Sequence, residues 1–279
     1  MHINPCIQNP SMRIVSLAPS NTEILYTLGC ADMVVACTRY CDFPPEAKSK
    51  PKVGGWLDIN DQLVEQYKPD VVMTSTFVQD KIVERFKKKG ISLFHTDPKT
   101  LEQVYGSILS IGKLVEKANK AQNVVDSMKK DFNALKNSIT IRQNNTINNK
   151  DRPAPHNKTR AYCEEWHKPP TVSGNWVPKI IEIAGGISLC PQGRVSYPVS
   201  LEEVSAFDPD CIILSICGMG SKATPDFVSK REGWGNLRAV KENKIFAIDD
   251  SLLNRPGPRL VEGARQLAEF FSVKNIQNL

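Results

Sequence analysis

The sequence predicts an α/β protein of two Rossmann-like lobes with central parallel sheets, bridged by one long backbone helix. Three observations predict it. Apolar runs without polar alternation take turns with amphipathic stretches of helical spacing, the pattern of a parallel sheet covered by helices. One phrase stands in each half of the chain: Tyr67-Lys68-Pro69-Asp70-Val71-Val72-Met73 is echoed by Phe207-Asp208-Pro209-Asp210-Cys211-Ile212-Ile213. Residues 100–137 keep helical spacing, except near Gly112, with no strand between.

Each copy of the phrase reads as helix, tight turn and buried strand, after short amphipathic stretches at 62–66 and 202–206. The aromatic closes the helix against the core. Proline fixes φ and stops the helix, and the aspartate caps its own turn. Two similar α/β lobes place a ligand in the crevice between them, outside the carboxyl ends of the strands.

Residues 1–12 read as an N-terminal extension and 13–98 as the first lobe. There, residues 13–18 form a strand ended by Pro19, and Ser20-Asn21-Thr22-Glu23 has capping-box spacing ahead of Ile24, Leu25 and Leu28, with Gly29 as the stop. Further strands are expected at 34–38, 71–75 and 92–96, with a basic amphipathic helix over 80–89. Residues 99–137 form the helical segment. A helix of ~20 residues spans about 30 Å, so residues 116–136 are long enough to join the lobes as one rod. The Asn-, Lys- and Pro-rich stretch 138–158 has little to bury and reads as a disordered loop. Residues 159–279 form the second lobe: strands at 159–163, 211–216 and 245–248, and helices from Trp176 or Pro178 to Ile183, at 202–206 and at 258–271.

With 279 residues and 41% hydrophobic content, such a chain buries roughly 75% of the surface its unfolded form exposes, enough for two cores. No apolar run approaches the ~20 residues of a spanning helix, and residues 1–12 lack the basic start and apolar middle of an export signal. A cytoplasmic monomer is therefore expected, extracytoplasmic only if the N-terminus is incomplete; a start at Met12 would supply no signal either. The eight cysteines show no scaffold spacing and are expected as reduced thiols. Net charge is +6, but the lysines are scattered among acids with no basic stripe, which excludes nucleic acid as the expected partner.

Enzyme chemistry finds little support. There is no phosphate loop, dinucleotide fingerprint, nucleophile elbow or histidine pair, and of four histidines only His167 is placed for function. Cys37 and Cys41 flank Thr38-Arg39-Tyr40, a gap that suits neither a redox dithiol nor a zinc half-site, so they read as structural thiols. Cys163, Glu164, Glu165 and His167 are a closer group of potential ligands, but strand alternation sends them to opposite faces, and no metal site or catalytic residue is assigned. The aromatics say more. Tyr40, Trp56, Trp166 and Tyr197 sit in loops, after strands or beside Gly or Pro, and flat aromatic walls suit a large, rigid, mostly apolar ligand with polar edges.

Several motifs in one order carry a family resemblance: residues 13–23, the 40–45 loop, Gly54-Gly55-Trp56-Leu57-Asp58-Ile59-Asn60, Lys68-Pro69-Asp70, residues 169–174, Ala184-Gly185-Gly186 and Arg255-Pro256-Gly257-Pro258-Arg259. Together they resemble the cobalamin-binding members of the substrate-binding proteins of ABC transporters, the helical-backbone (class III) group that also serves ferric siderophores and haem. The resemblance covers all but the Asn-rich loop and the first dozen residues. It implies two α/β lobes bridged by one helix, with a corrin between them against Tyr40, Trp56 and Tyr197, the last standing where the family often has Trp, and with Arg255 facing the cleft. It also implies docking to a transporter permease through one acid on each lobe. Glu202 matches one, while Gln62 stands at the other position.

The expected function is non-enzymatic binding of a cobalamin-like corrinoid, with no cofactor of the protein's own. Ligand-binding residues are Tyr40, Trp56, Trp166, His167, Tyr197 and Arg255, with His167 as a candidate for the cobalt or the corrin rim. The alternatives are a ferric siderophore or haem binder, and an intracellular corrinoid-modifying enzyme using Cys163, Glu165 or His167. Limited closure on binding is expected because the long helix fixes lobe separation.

Overall fold

The computed structural model describes residues 12–147 and 158–276. Two compact units divide the chain: unit 1 takes residues up to Asp97 and Ser107–Gln122, and unit 2 takes Pro98–Gly106 and everything from Asn123.

In unit 1, β1 (Ile14–Ser16), α1 (Pro19–Thr27), β2 (Val34–Cys37), α2 (Asp61–Gln66), β3 (Val71–Ser75), α3 (Asp80–Lys88) and β4 (Leu93–Thr96) follow one another. Their four strands form an all-parallel sheet in the order β2-β1-β3-β4. The burial of β1 and β3 is complete, as runs without polar alternation require. Val15, Leu17, Ala36, Val64, Val72, Ile82 and Phe86 close the core between sheet and helices. Each such side chain contributes about 1.5–3 kcal/mol when fully buried.

Entry into α1 differs from the capping box. Ala18 is the N-cap without a side-chain bond, and Pro19 opens the helix. Proline suits that first position because its missing N–H would have had no helical partner. The polar residues that follow are buried instead. Thr22 Oγ1 donates to Ser16 Oγ (2.8 Å) and Asn21 Nδ2 donates to the Thr74 carbonyl (3.0 Å), which stitches the first turn to the sheet.

Two helices follow, α4 (Leu101–Leu114) and α5 (Ala118–Ile147), and each carries residues of both units. The break between them falls at Glu116, whose φ is +56°, and not at Gly112. Gly112 lies within α4 because a Cβ there would sit 2.3 Å from that of Ala121. Helix α5 continues through Ile147, well into the stretch read as a loop, so that reading is corrected for 138–147; residues 148–157 lie outside the described part. Asparagine and lysine lower helix propensity by only tenths of a kcal/mol each, too little to stop an established helix.

Unit 2 continues with β5 (Thr159–His167), β6 (Pro170–Val172), α6 (Val177–Ile183), β7 (Gly186–Ser188), β8 (Tyr197–Pro198), α7 (Leu201–Phe207), β9 (Cys211–Leu214), α8 (Asp226–Ser229), α9 (Arg238–Lys241), β10 (Ile245–Ala247) and α10 (Leu260–Ile276). Strands β10, β9, β5 and β7 are parallel. The sheet then turns mixed: the last residues of β5 pair antiparallel with β6, and β6 with β8. This second partner explains why β5 runs to His167, beyond the expected end at Cys163. Tyr162, Val204, Ile212, Leu214, Val228 and Trp234 lie in the core. Beneath it Glu164, fully buried, accepts both nitrogens of Arg231 (2.8 and 2.9 Å) and the Tyr162 hydroxyl (2.7 Å).

The repeated phrase is one device used twice. The residue after each helix's closing aromatic is left-handed, Lys68 with φ +44° and Asp208 with φ +45°, and proline follows. The aspartate does not cap its own turn. Asp70 Oδ2 accepts the Arg13 amide (2.6 Å) and Asp210 Oδ2 the Arg160 amide (2.9 Å), while each aspartate's own amide donates back to that arginine's carbonyl (2.8 Å in both). Each thus pins the neighbouring central strand at its start.

Candidate functional site

In unit 1 the exposed aromatics gather where the parallel strands end. Strand β2 runs into a turn closed by the Cys41 amide on the Thr38 carbonyl (3.1 Å), with Tyr40 at its corner, 46% exposed. The Trp56 loop is clasped to this turn. The Arg39 amide donates to the Gly54 carbonyl (2.8 Å), and the Arg39 guanidinium meets Asp58 (2.8 Å) across Gly55. A Cβ on Gly55 would stand 2.1 Å from Asp58 Oδ1 and 2.5 Å from Arg39 Nη1, so only glycine leaves room for the clasp. The hydrogen bond from Arg39 lowers the Asp58 pKa.

Buried Gln79 holds the same loop from below: its Nε2 donates to the carbonyls of Leu17 (2.9 Å) and Trp56 (3.0 Å), while its Oε1 accepts the Ser75 amide (2.8 Å). Trp56 is half-buried, and its indole N–H has no protein partner. At the exit of β3, Thr76 takes φ +64°, a conformation that costs a β-branched residue about 1–3 kcal/mol. It delivers Phe77 to the surface, 48% exposed, with the Phe77 amide bound to Asp97 Oδ1 (3.0 Å). Phe77 and the exposed Leu57 were missed in the sequence. The signal for Phe77 was its place just after a buried strand, as Tyr40 follows β2.

Unit 2 arranges its residues differently. Trp166 is 47% exposed, with its indole nitrogen donating to the Lys168 carbonyl (3.0 Å). His167 packs edge-on against Phe227 (5.0 Å between centroids), with Trp166 at 6.1 Å. Its Nδ1 is buried without a hydrogen-bond partner, which leaves Nε2 as the nitrogen for any ligand. Tyr197, on β8, is already engaged: its hydroxyl donates to Glu203 (2.8 Å) and the Arg194 guanidinium lies 3.7 Å from its ring centroid. Burial, with help from Glu203, pushes its pKa up to about 12.

Arg255 follows a turn fixed by Asn254, whose Nδ2 donates to the Ser215 carbonyl (2.7 Å) just past β9. Near it Asp250 accepts the amides of Gly218 (3.0 Å) and Gly220 (2.7 Å); burial raises the Asp250 pKa against the pull of these bonds and of Arg255. Glu165 also lies here. Burial pushes its pKa up to about 7, against a bond from Ser196.

The loops that carry Tyr40 and Trp56 are thus clasped together, and Trp166 and His167 are in contact. Glu202 is exposed in the first turn of α7, where Ser200 caps the helix by accepting the Glu203 amide (3.2 Å). Gln62 holds the same place in α2, with Asn60 as the cap. Among the described residues no three His, Cys, Asp or Glu side chains gather to hold a metal. What the sets offer is flat apolar faces with polar groups at their edges, which is binding chemistry.

Residues 14–252 match a family model described as periplasmic binding protein. A substrate-binding lipoprotein of an ABC transporter from Bacillus subtilis, itself uncharacterised, is 30% identical over 94% of this chain and 81% of its own length. A vitamin B12-binding protein of Vibrio cholerae is 24% identical over 96% of this chain and 92% of its own. Among solved structures, the periplasmic vitamin B12-binding protein of Vibrio cholerae superimposes with a TM-score of 0.71 at 22% identity, covering 95% of this chain and 98% of the other. A periplasmic haem-binding protein of Roseiflexus does so with 0.76 at 22% identity, covering 94% and 98%. These findings overturn the cytoplasmic expectation. Relatives along nearly the whole chain are periplasmic proteins or lipoproteins, and the first dozen residues, on which that expectation rested, do not outweigh them.

Proposed function

The chain belongs to the periplasmic binding protein family, the substrate-binding proteins of ABC transporters, and we propose that the solute it holds is a corrinoid of the cobalamin type. The observation that carries this reading is the clasp between the loops that carry Tyr40 and Trp56 at the carboxyl end of the unit 1 sheet, with Phe77 following β3. A corrin is a broad disc with an amide rim. Its face stacks on aromatic rings, and its rim takes hydrogen bonds at their edges. The vitamin B12-binding relative, matched along nearly its whole length, supports the same solute.

Trp166, His167, Tyr197 and Arg255 are the contacts of unit 2. For Tyr197 the contact runs through the Arg194 guanidinium that covers its ring. The protein releases its ligand unaltered and needs no cofactor. It meets a permease through Glu202; Gln62 supplies no charge at the matching place, and its neighbours Asp61 and Glu65 are held by Arg85 and Lys89.

Equilibrium dialysis against cobinamide tests the site. Tyr40→Ala and Trp56→Ala should each weaken binding by about tenfold, the worth of one stacked ring, and unchanged affinity in both would remove the proposal. For His167, visible spectra of bound cobalamin with His167→Ala and the unaltered protein discriminate: identical spectra exclude cobalt ligation. A haem reading has support in fold likeness to haem-binding neighbours, the Roseiflexus protein among them, and haem outcompeting cobinamide would establish it.

A further inference from the structure

Directly beneath Tyr40 lies a cluster the binding function does not use. Cys37 ends β2 and Cys41 closes the turn after it, both buried, and the Lys52 ammonium reaches the sulfur of the first and the carbonyl of the second. Around them the polar groups converge. Thr22 Oγ1 lies 3.1 Å from Cys41 Sγ, and Thr38 Oγ1 lies 3.2 Å from the same sulfur. The Lys52 ammonium donates to Cys37 Sγ (3.2 Å), to the Cys41 carbonyl (3.2 Å) and to the Ala47 carbonyl (2.9 Å). An ammonium donating to one sulfur of a buried thiol pair favours a thiolate in the pair.

Among the described thiols, Cys163, Cys190 and Cys217 behave differently. Burial pushes Cys163 and Cys217 up to about 12 and Cys190 up to about 11. At Cys41 burial acts in the same direction but is outweighed by the bonds from Cys37, Thr22 and Thr38, and its pKa falls to about 6, while that of Cys37 rises.

We propose that Cys37 and Cys41 are a reversible dithiol whose oxidation to a disulfide covalently fixes the turn that carries Arg39 and Tyr40. The oxidant is a low-molecular-weight disulfide. The Cys41 thiolate attacks one of its sulfurs and expels a thiolate, forming a mixed disulfide. Cys37 then loses its proton and attacks the Cys41 sulfur, expelling the second thiolate. Two protein thiols and one small disulfide become one protein disulfide and two small thiols, so atoms and electrons balance. Because Arg39 is bonded to Gly54 and Asp58, the cross-link reaches the Trp56 loop as well.

The test treats the folded protein with oxidised glutathione, blocks remaining thiols with an alkylating agent and maps the peptides. Trypsin cuts after Arg39, between the two cysteines, so the link appears as a joined pair of peptides, with fragment spectra separating Cys37 from Cys30. The expected result is a Cys37–Cys41 link, a mass loss of two hydrogens, reversal by a reductant, and amide exchange over residues 38–42 at least tenfold slower in the oxidised form. Retention of both thiols in alkylatable form, a link joining other cysteines, or unchanged amide exchange would each overturn the proposal. A Cys37→Ser variant should stop at the mixed disulfide on Cys41; should it fail to fold, the mapping of the unaltered chain still decides. The readouts need no ligand, so the proposal stands or falls apart from the corrinoid reading.

Discussion

Replacing Glu165 by glutamine should stabilise the protein in alkaline solution and leave it unchanged in acid. Burial lifts the Glu165 pKa from 4.5 to about 7, against a bond from Ser196. A carboxyl raised in the folded state contributes stability fully below the unfolded value of 4.5, and that contribution is lost as pH rises to and through the folded value near 7. A shift of this size corresponds to about 3 kcal/mol at most, at 1.36 kcal/mol for each pH unit. Glutamine keeps the shape and the bond to Ser196 but never ionises. Chemical denaturation followed by tryptophan emission reads the relevant part of the chain, since Trp166, Trp176 and Trp234 all lie in unit 2. The expected outcome is a gain of about 2–3 kcal/mol at about pH 8 that vanishes near about pH 4. An equal gain at both values would mean that packing, not ionisation, is at work, and no gain in alkali would refute the burial argument.

Other expectations follow from single contacts. Arg231→Met should cost about 3–5 kcal/mol by leaving Glu164 buried without its counter-charge, and adding Glu164→Gln should recover most of it; a double-mutant cycle in urea checks this. Asp70→Ala should cost about 1–2 kcal/mol through loss of the strand-pinning bond, and Asp210→Ala should cost more in the same melting assay, because Arg238 also loses a partner at 3.0 Å. Gly55→Ala should force the Arg39–Asp58 clasp open and weaken ligand binding about tenfold; its stability should drop by only about 1 kcal/mol, since that ion pair is exposed.

Elements whose signal is local were legible in the sequence. Strand β3 was read to the residue, because Val71–Ser75 is an apolar run bounded by Pro69-Asp70 on one side. The echo of that phrase located both helix–turn–strand devices. What its aspartates do was not legible: they pin a strand 57 residues away in one unit and 50 in the other, and nothing local announces that. A separation of 67 residues likewise hides Arg231 from Glu164. At α1 the capping box lost to Pro19, since a proline at the first helical position needs no cap for itself. In the site, Tyr40 and Trp56 were found as loop aromatics beside turns, while Phe77 was passed over because the strain at Thr76 that exposes it has no sequence signature. Tyr197 was found without Arg194, whose place over the ring depends on the pairing of β6 with β8. Residue type announced the aromatic sets; only tertiary structure tells which faces stay open.

Calorimetric titration with cobalamin, haem and a ferric siderophore side by side tests the central claim most directly. The account expects saturable binding of cobalamin in equal proportion to protein, matched by its cobinamide core and weakened in Trp56→Ala. Saturation by haem or the siderophore, with no heat from cobalamin at any attainable concentration, would contradict it.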